Sequence, residues 1–301
     1  MKDSYGRTID YLRFSVTDLC NLHCLYCMPK NGVKKKRHED ILRIEEIETI
    51  ARAAASLGIS KIRITGGEPL VRKGIEEIVR RVSALPGIQE VCLTTNGHFL
   101  QEKAEALAEA GLSRVNISLD ALDASVYAKI TGGGDLFKAL SGIEAAIQAG
   151  LTPIKINCVL MKGVNEGEIE RLAGLSEHAE VEVRFLELMP IATTSTWSQD
   201  HFLTANEAIS KVPGNRASID TIEPISHSFC SQCNRIRVTA DGWLRPCLHS
   251  ETEILLRGLS YDKLLEALKM GIRLKPQKHL LNRALPLIHT QDSRPMYAIG
   301  G

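Results

Sequence analysis

Six of the eight cysteines in this 301-residue chain fall into two groups of three, Cys20-Cys24-Cys27 and Cys230-Cys233-Cys247. Three thiolates at the first spacing suit an iron–sulfur cluster with one iron left open, and an open metal position can bind and activate a ligand. A structural zinc site takes four ligands. His23, the nearest candidate, is cramped between two cysteines. The second group reads differently. Its spacing slightly favours a zinc ribbon, with His227 or His249 as fourth ligand. Cys92 and Cys158 stand alone in apolar stretches and read as small buried hydrophobes. Uneven spacing and the absence of a signal-peptide core argue against a disulfide framework and for a reducing, cytoplasmic setting.

Something must hold these thiols. From residue 10 to residue 188, strand-like runs alternate with helix-like ones. Strands are expected near Tyr11–Val16, Lys61–Thr65, Val91–Thr95, Ser113–Leu119, Ile154–Leu160 and Val181–Leu188. Amphipathic patterns cover Glu45–Leu57, Lys73–Ala84, Gln101–Ala110, Leu136–Ala149 and Glu166–His178, with Gly58, Gly111 and Gly150 as C-caps. Such alternation builds a parallel sheet with right-handed crossovers. Six units fall short of a full TIM barrel. The expected fold is therefore α/β, an incomplete (β/α)6 TIM-like barrel over residues 1–190. A C-terminal extension over 191–301 caps its open side. Ile236–Leu248 reads as a hairpin turning at Asp241-Gly242, and Leu255–Met270 as a helix. The run Lys34–His38 is a solvated loop, or a mobile lid beside the first cysteines.

Side chains alternate between the two faces of a strand. In each of the six, one face is apolar and the other polar. Leu12 and Phe14 oppose Arg13 and Ser15; Ile62 and Ile64 oppose Lys61, Arg63 and Thr65; Val91 and Leu93 oppose Cys92 and Thr94. Val115 and Ile117 oppose Asn116 and Ser118; Ile154 and Ile156 oppose Lys155 and Asn157; Val183 and Phe185 oppose Glu182 and Arg184. With helices outside, the polar face lines the lumen. It collects Arg13, Lys61, Arg63, Lys155 and Arg184 against Glu182. Unpaired buried charge costs several kcal/mol. A wet cavity holding a polyanion removes that cost, and a triphosphate at roughly −3 to −4 would suit these cations.

The pattern Cys20-x3-Cys24-x-Tyr26-Cys27, followed by Thr65-Gly66-Gly67-Glu68-Pro69 after the second strand, resembles the signature of radical S-adenosylmethionine enzymes. LRFSVTDLCNLHCLYCMP, IRITGGEPL, TTNG, NISLDAL, FCSQCNRIRVTADGWLRPCL, Lys275–His279 and Gly300-Gly301 together resemble the GTP 3′,8-cyclase family, which makes the first intermediate of molybdenum-cofactor biosynthesis. The resemblance runs over nearly the whole chain and reverses the preference for zinc. It implies a lyase with two 4Fe–4S clusters and S-adenosylmethionine, in which a 5′-deoxyadenosyl radical takes the ribose 3′ hydrogen of GTP and the 3′ carbon attacks C8. Cys20, Cys24 and Cys27 would hold the first cluster and, with Arg13, form the catalytic set. Tyr26, Gly67, Ser118 and Met189 would contact S-adenosylmethionine. Arg13, Arg63, Thr94, Lys155, Arg184, Arg235 and Arg237 would contact GTP, with Lys61 contributing. Cys230, Cys233 and Cys247 would hold the second cluster, its open iron facing guanine. An external electron donor and the next enzyme of the pathway would be partners, and the chain would act as a monomer or homodimer. The sequence departs from the family in Leu19, where many relatives carry Arg, and in a shorter 191–229 segment.

Composition sets limits on the alternatives. Lys and Arg number 37 against 36 Asp and Glu, so neither a nucleic-acid coat nor an acidic tail is a global feature. No apolar run approaches the roughly 20 residues that span a bilayer. A peptide maturase with an auxiliary cluster would want a longer, more cysteine-rich tail and leaves the cationic lumen without a purpose. A non-catalytic zinc protein leaves the first triplet without one.

Overall fold

The computed structural model describes residues 1–28, 36–189, 200–213, 219–279 and 294–300. Six parallel strands form the centre of its sheet: β1 (Tyr11–Ser15), β2 (Lys61–Thr65), β3 (Glu90–Thr95), β4 (Arg114–Ser118), β5 (Ile154–Leu160) and β6 (Val181–Glu187). The connecting helices are α1 (Ile44–Ser56), α2 (Ile75–Ser83), α3 (Leu100–Glu109), α4 (Ala124–Thr131), α5 (Leu136–Gln148) and α6 (Ile169–Gly174). Each buries a stripe at helical spacing. In α1 the stripe is Ile47, Ile50, Ala51 and Ala54, and in α2 it is Ile75, Ile78, Val79 and Val82. They meet the outward strand residues Leu12, Phe14, Ile62, Ile64, Val115, Ile117, Ile156 and Phe185, all fully or almost fully buried. Each such side chain contributes about 1.5–3 kcal/mol relative to exposure. The strand parity read from the sequence is thus the parity of the fold.

The C-terminal extension does more than cap an opening. It supplies strands to both edges of the same sheet. β7 (Ile219–Ile222) pairs in parallel with β6, and β8 (Arg235–Val238) in parallel with β1. β9 (Trp243–Arg245) folds back antiparallel on β8 through the Asp241-Gly242 turn, where Gly242 takes φ +89°. β10 (Ile254–Leu255) closes the order β10-β9-β8-β1-β2-β3-β4-β5-β6-β7, an open sheet.

Several expected boundaries move. Leu255 belongs to β10, paired with Trp243, and Gly258 follows at φ +75°, so the helix α8 runs over Tyr261–Arg273. The 166–178 helix shortens to α6 with a 3-10 turn on either side. The helix α4 precedes α5 because Asp123 accepts the Ser125 and Val126 amides as an N-cap. Two further short helices, α7 (Ala205–Ser210) and α9 (Met296–Ile299), complete the described elements. Of Lys34–His38, residues 34 and 35 lie outside the described residues, as do 191–199 and 214–218. Lys36 is paired with Asp241 at 2.5 Å. Among the described residues no helix is long and apolar enough to cross a membrane.

Candidate active site

The first triplet sits on the loop that leaves β1, and this loop is pinned from two sides. The Gly67 amide donates to Thr17 O (2.9 Å) and the Glu68 amide to Leu19 O (2.8 Å). A methyl at Gly67 would lie 2.4 Å from Leu19 O, and one at Gly66 would lie 2.6 Å from Thr17 O. Neither glycine needs a positive φ; both are required for space. The resemblance assigns Gly67 to S-adenosylmethionine. The structure shows that it first serves the cysteine loop, whose backbone fills that space. On the other side, the His23 amide donates to Thr131 O and the Leu25 amide to Ile130 O. A turn between Cys24 O and the Cys27 and Met28 amides puts Cys24 and Cys27 on one side.

Burial pushes the Cys20 thiol up to about 11 and the Cys27 thiol up to about 12. It takes Cys24 well above the usual range, with Cys27 and Asp120 adding to the effect. Among the described residues no three metal-binding side chains are gathered for a single ion. A cluster asks for something else, one thiolate on each of three irons. Three half-buried cysteines opening on one cavity fit that donor set. Tyr26 lies between them and donates its hydroxyl to Asp120 (2.8 Å). Burial first, then that buried environment's few compensating bonds, leave the Asp120 carboxyl at about 6. Glu68, capped by Thr95 Oγ1, Asn96 N and Leu70 N, is pushed up to about 7 by burial.

The cavity holds about 470 Å³ and joins this loop to the lumen of the sheet. Cys20, Cys24, Cys27, Tyr26, Gly67, Ser118 and Met189 line one part of it; Arg13, Arg63, Thr94, Arg184 and Arg235 line another. All were candidates from the sequence. Two more candidates, Lys155 and Arg237, do not line it. Lys155 lies opposite Glu182 in the β5–β6 register and ion-pairs with it. Arg237 is buried and donates to Gly300 O at 2.6 Å. That carbonyl follows α9, whose Met296 and Tyr297 close the cavity. Gly301 lies outside the described residues.

Parity reading also missed some members. Tyr11, Glu90 and Arg114 share the lumen face of their strands by the same period of two; Glu90 stands one residue before the expected third strand, while Tyr11 and Arg114 lie at the start of strands that were expected. Glu182 is consequently not the lone lumen carboxylate. Glu90 binds Lys61 (2.5 Å) and Arg114 (2.5 Å), and Asp220 of β7 binds Arg184 (3.1 Å). Tyr11 has the guanidiniums of Arg63 and Arg235 over its ring, and Arg63 Nε donates to its hydroxyl. Burial alone would raise this phenol, but Arg63, Arg13 and Arg235 prevail and hold it below its ordinary value. Burial, with Arg237 and Arg63 nearby, pulls Arg13 well below the usual guanidinium range. Thr65 Oγ1, Asn116 Oδ1 and Asn157 Oδ1 are buried in the cavity wall and have no hydrogen-bond partner among the described residues. Buried polar groups normally have one, so these are atoms for a ligand to satisfy.

The second triplet lies outside that lining. Cys233 precedes β8 and Cys247 follows β9, so the hairpin brings them together. Lys275, buried, donates to Arg235 O (2.8 Å) and Pro246 O (3.0 Å), bridging the two strand ends. Arg7, itself paired with buried Asp3, donates to Cys230 O (2.7 Å), Pro276 O (2.7 Å) and Gln277 O (3.0 Å). Burial raises the Cys233 thiol, yet Lys275 and Arg235 outweigh it and hold the group below its usual value. The histidines proposed as zinc ligands are engaged elsewhere. His227 is exposed and paired with Glu223 at 2.5 Å, and His249 packs edge-on against His279 with ring centroids 5.0 Å apart.

Comparison with known proteins agrees with this geometry. The sequence profile of the Radical SAM superfamily matches residues 14–175, and that of Molybdenum Cofactor Synthesis C matches residues 208–281. Two relatives, the GTP 3′,8-cyclases of Alkaliphilus metalliredigens and Alkaliphilus oremlandii, are 47% and 46% identical, each alignment covering all of this chain and all of the relative. The crystal structure of Streptococcus suis SuiB bound to precursor peptide SuiA superposes with a TM-score of 0.68 at 16% identity, covering 89% of this chain and 67% of that one. This last likeness is one of fold. A cysteine loop pinned by a Gly-Gly turn, a cationic lumen and full-length identity near one half agree, and the chain belongs to the GTP 3′,8-cyclase family of the radical SAM superfamily.

Proposed function

We propose that this radical SAM enzyme acts as a lyase that cyclises GTP to (8S)-3′,8-cyclo-7,8-dihydroguanosine 5′-triphosphate, the first step of molybdenum-cofactor biosynthesis. One observation carries the reading: a single cavity has the cysteine triplet in one part of its wall and a bank of arginines in another. Arg13, Arg63, Arg184 and Arg235 would hold the triphosphate, with Thr94, hydrogen-bonded to Arg63 at 3.4 Å, beside them. Tyr26, Gly67, Ser118 and Met189 would hold S-adenosylmethionine. When bound, that cofactor and the cluster on Cys20, Cys24 and Cys27 supply the radical chemistry that joins the ribose 3′ carbon to guanine C8. The protein's own part is to orient the ribose between the two ends and to exclude water behind Met296 and Tyr297. Cys230, Cys233 and Cys247 would hold a second 4Fe–4S cluster, which would supply a site for the edge of guanine, since cations alone do not distinguish bases. Arg237 and Lys155 would act from behind the cavity wall. An external electron donor, a following enzyme for the labile product and a cytoplasmic location complete the proposal, as does a functional division near residue 190.

The test is anaerobic reconstitution with iron and sulfide, then incubation with GTP, S-adenosylmethionine and a reductant. Arg184→Ala should weaken GTP binding by about 1.5–3 kcal/mol, the scale of a charged hydrogen bond, and leave guanosine binding nearly untouched. Lys155→Ala should cost less, because Lys155 does not line the cavity. Equal losses for guanosine and GTP would refute a triphosphate site.

A further inference from the structure

Arg114 begins β4 and points to the lumen with Asn116 and Ser118. The strand registers place Arg237, Arg13, Arg63, Cys92 and Arg114 side by side across β8, β1, β2, β3 and β4. Like charges in neighbouring register positions repel, so this row needs counter-charge. Glu90, two residues before Cys92, provides part of it. Its Oε1 accepts from Arg114 Nε (2.5 Å) and from the Cys92 thiol (2.8 Å), and its Oε2 pairs with Lys61 Nζ (2.5 Å). One carboxylate therefore serves two cations, and both its oxygens are engaged.

A guanidinium is a rigid planar fork, so fixing Nε on Glu90 also fixes where the other nitrogens point. Arg114 Nη1 is buried and has no hydrogen-bond partner among the described residues, while the side chain lines the cavity. A buried cationic donor without an acceptor is costly, and an anionic oxygen entering the cavity removes that cost. Arg184, across the lumen, feels Arg114 as well as Arg63: after burial and its two carboxylate neighbours, both cations depress its proton affinity. The three guanidiniums therefore face a shared space.

We infer that Arg114 is a further contact for the anionic end of the substrate, and that Glu90 is the positioning residue that aims it. The cationic wall then gains a member on β4, between Arg63 of β2 and Arg184 of β6. This rests on the GTP reading above and adds to it a residue that the resemblance did not supply.

The experiment uses the cluster-loaded full chain and titrates inorganic triphosphate, GTP and guanosine by calorimetry. Iron content and circular dichroism serve as checks of folding. Arg114→Met should weaken inorganic triphosphate and GTP about tenfold or more and guanosine less than about twofold, the scale of one lost charge-assisted hydrogen bond. Arg114→Lys, which keeps the charge but not the fork, should fall between the two and serves if the methionine variant does not fold. Glu90→Gln should raise KM for GTP several-fold with kcat little changed. Unchanged triphosphate affinity in both Arg114 variants, with Arg184→Ala impaired, would overturn the role of Arg114 and leave the GTP reading standing. If Arg184→Ala were also unimpaired, the triphosphate reading itself would fail. Equal or tighter triphosphate binding in Glu90→Gln would overturn the positioning role.

Discussion

The two cysteine triplets have similar composition and opposite surroundings. Cys20, Cys24 and Cys27 lie in a loop whose near neighbours are carboxyls, Asp120 and Glu68; burial raises all three thiols, Glu68 adds to the effect at Cys20, Cys27 and Asp120 at Cys24, and Cys20 at Cys27. Cys233 lies beside Lys275 and Arg235, with Arg237 behind, and is held below its usual value. The supports differ too. The first loop is fixed by backbone packing, through two glycines with no room for a methyl. The second is fixed by side-chain cations, Arg7 and Lys275, that donate to carbonyls of separate segments. Charge around an iron–sulfur cluster helps set its reduction potential. Under the proposed assignment, the carboxyl-lined triplet would carry the more reducing cluster and the cation-lined one the cluster that takes an electron-rich ligand.

Removing ligands gives the largest contrast. Changing Cys20, Cys24 and Cys27 together to Ala should remove about half the iron and all cleavage of S-adenosylmethionine. The same change at Cys230, Cys233 and Cys247 should also remove about half, yet leave uncoupled cleavage while abolishing cyclisation of GTP. Iron analysis and 5′-deoxyadenosine assays read both. Full iron after the first change would show that the triplet is not a cluster site.

Changing the supports should separate the regions more gently. Gly67→Ala drives a methyl into Leu19 O, and forcing atoms into a packed site costs about 1–3 kcal/mol. First-cluster occupancy should drop while the second keeps its spectroscopic signal. Lys275→Met leaves Arg235 O and Pro246 O without their shared donor, a loss of about 1.5–3 kcal/mol, and should do the reverse. If either variant depleted both clusters equally, the two supports would not be independent.

The smallest effect is spectroscopic. Saturating GTP should shift the magnetic resonance signal of the reduced second cluster, and ATP should shift it little. Guanine offers N1, the exocyclic amine and O6 along one edge, a pattern that adenine lacks. An unchanged signal with GTP bound would leave this cluster a structural role.

Much of this was legible in the chain. Alternation along the six strands identified both the outward core, Leu12, Phe14, Ile62 and Phe185 among it, and the inward cations Arg13, Arg63 and Arg184. The alternation is local, because successive side chains of a strand must point to opposite faces. The first cysteine group was legible for the same reason: its three thiols lie on one short loop, from Cys20 to Cys27. The ends of elements were less so. Arg114, Glu90 and Tyr11 obey the same period but open their strands, where a polar or aromatic residue reads equally as an edge facing water.

What only the tertiary structure decided was non-local. That β8 joins β1 and β7 joins β6 depends on backbone pairing between segments over a hundred residues apart in the first case and adjacent only through a long connection in the second. That Lys155 meets Glu182 and Arg237 meets Gly300 O, while Arg63 and Arg184 remain in the cavity wall, depends on register. Residue type makes a side chain a cation, and strand parity sends it inward. Which acceptor it finds there is set by neighbours from other strands, because a buried charge settles on whatever oxygen the packed fold brings within reach.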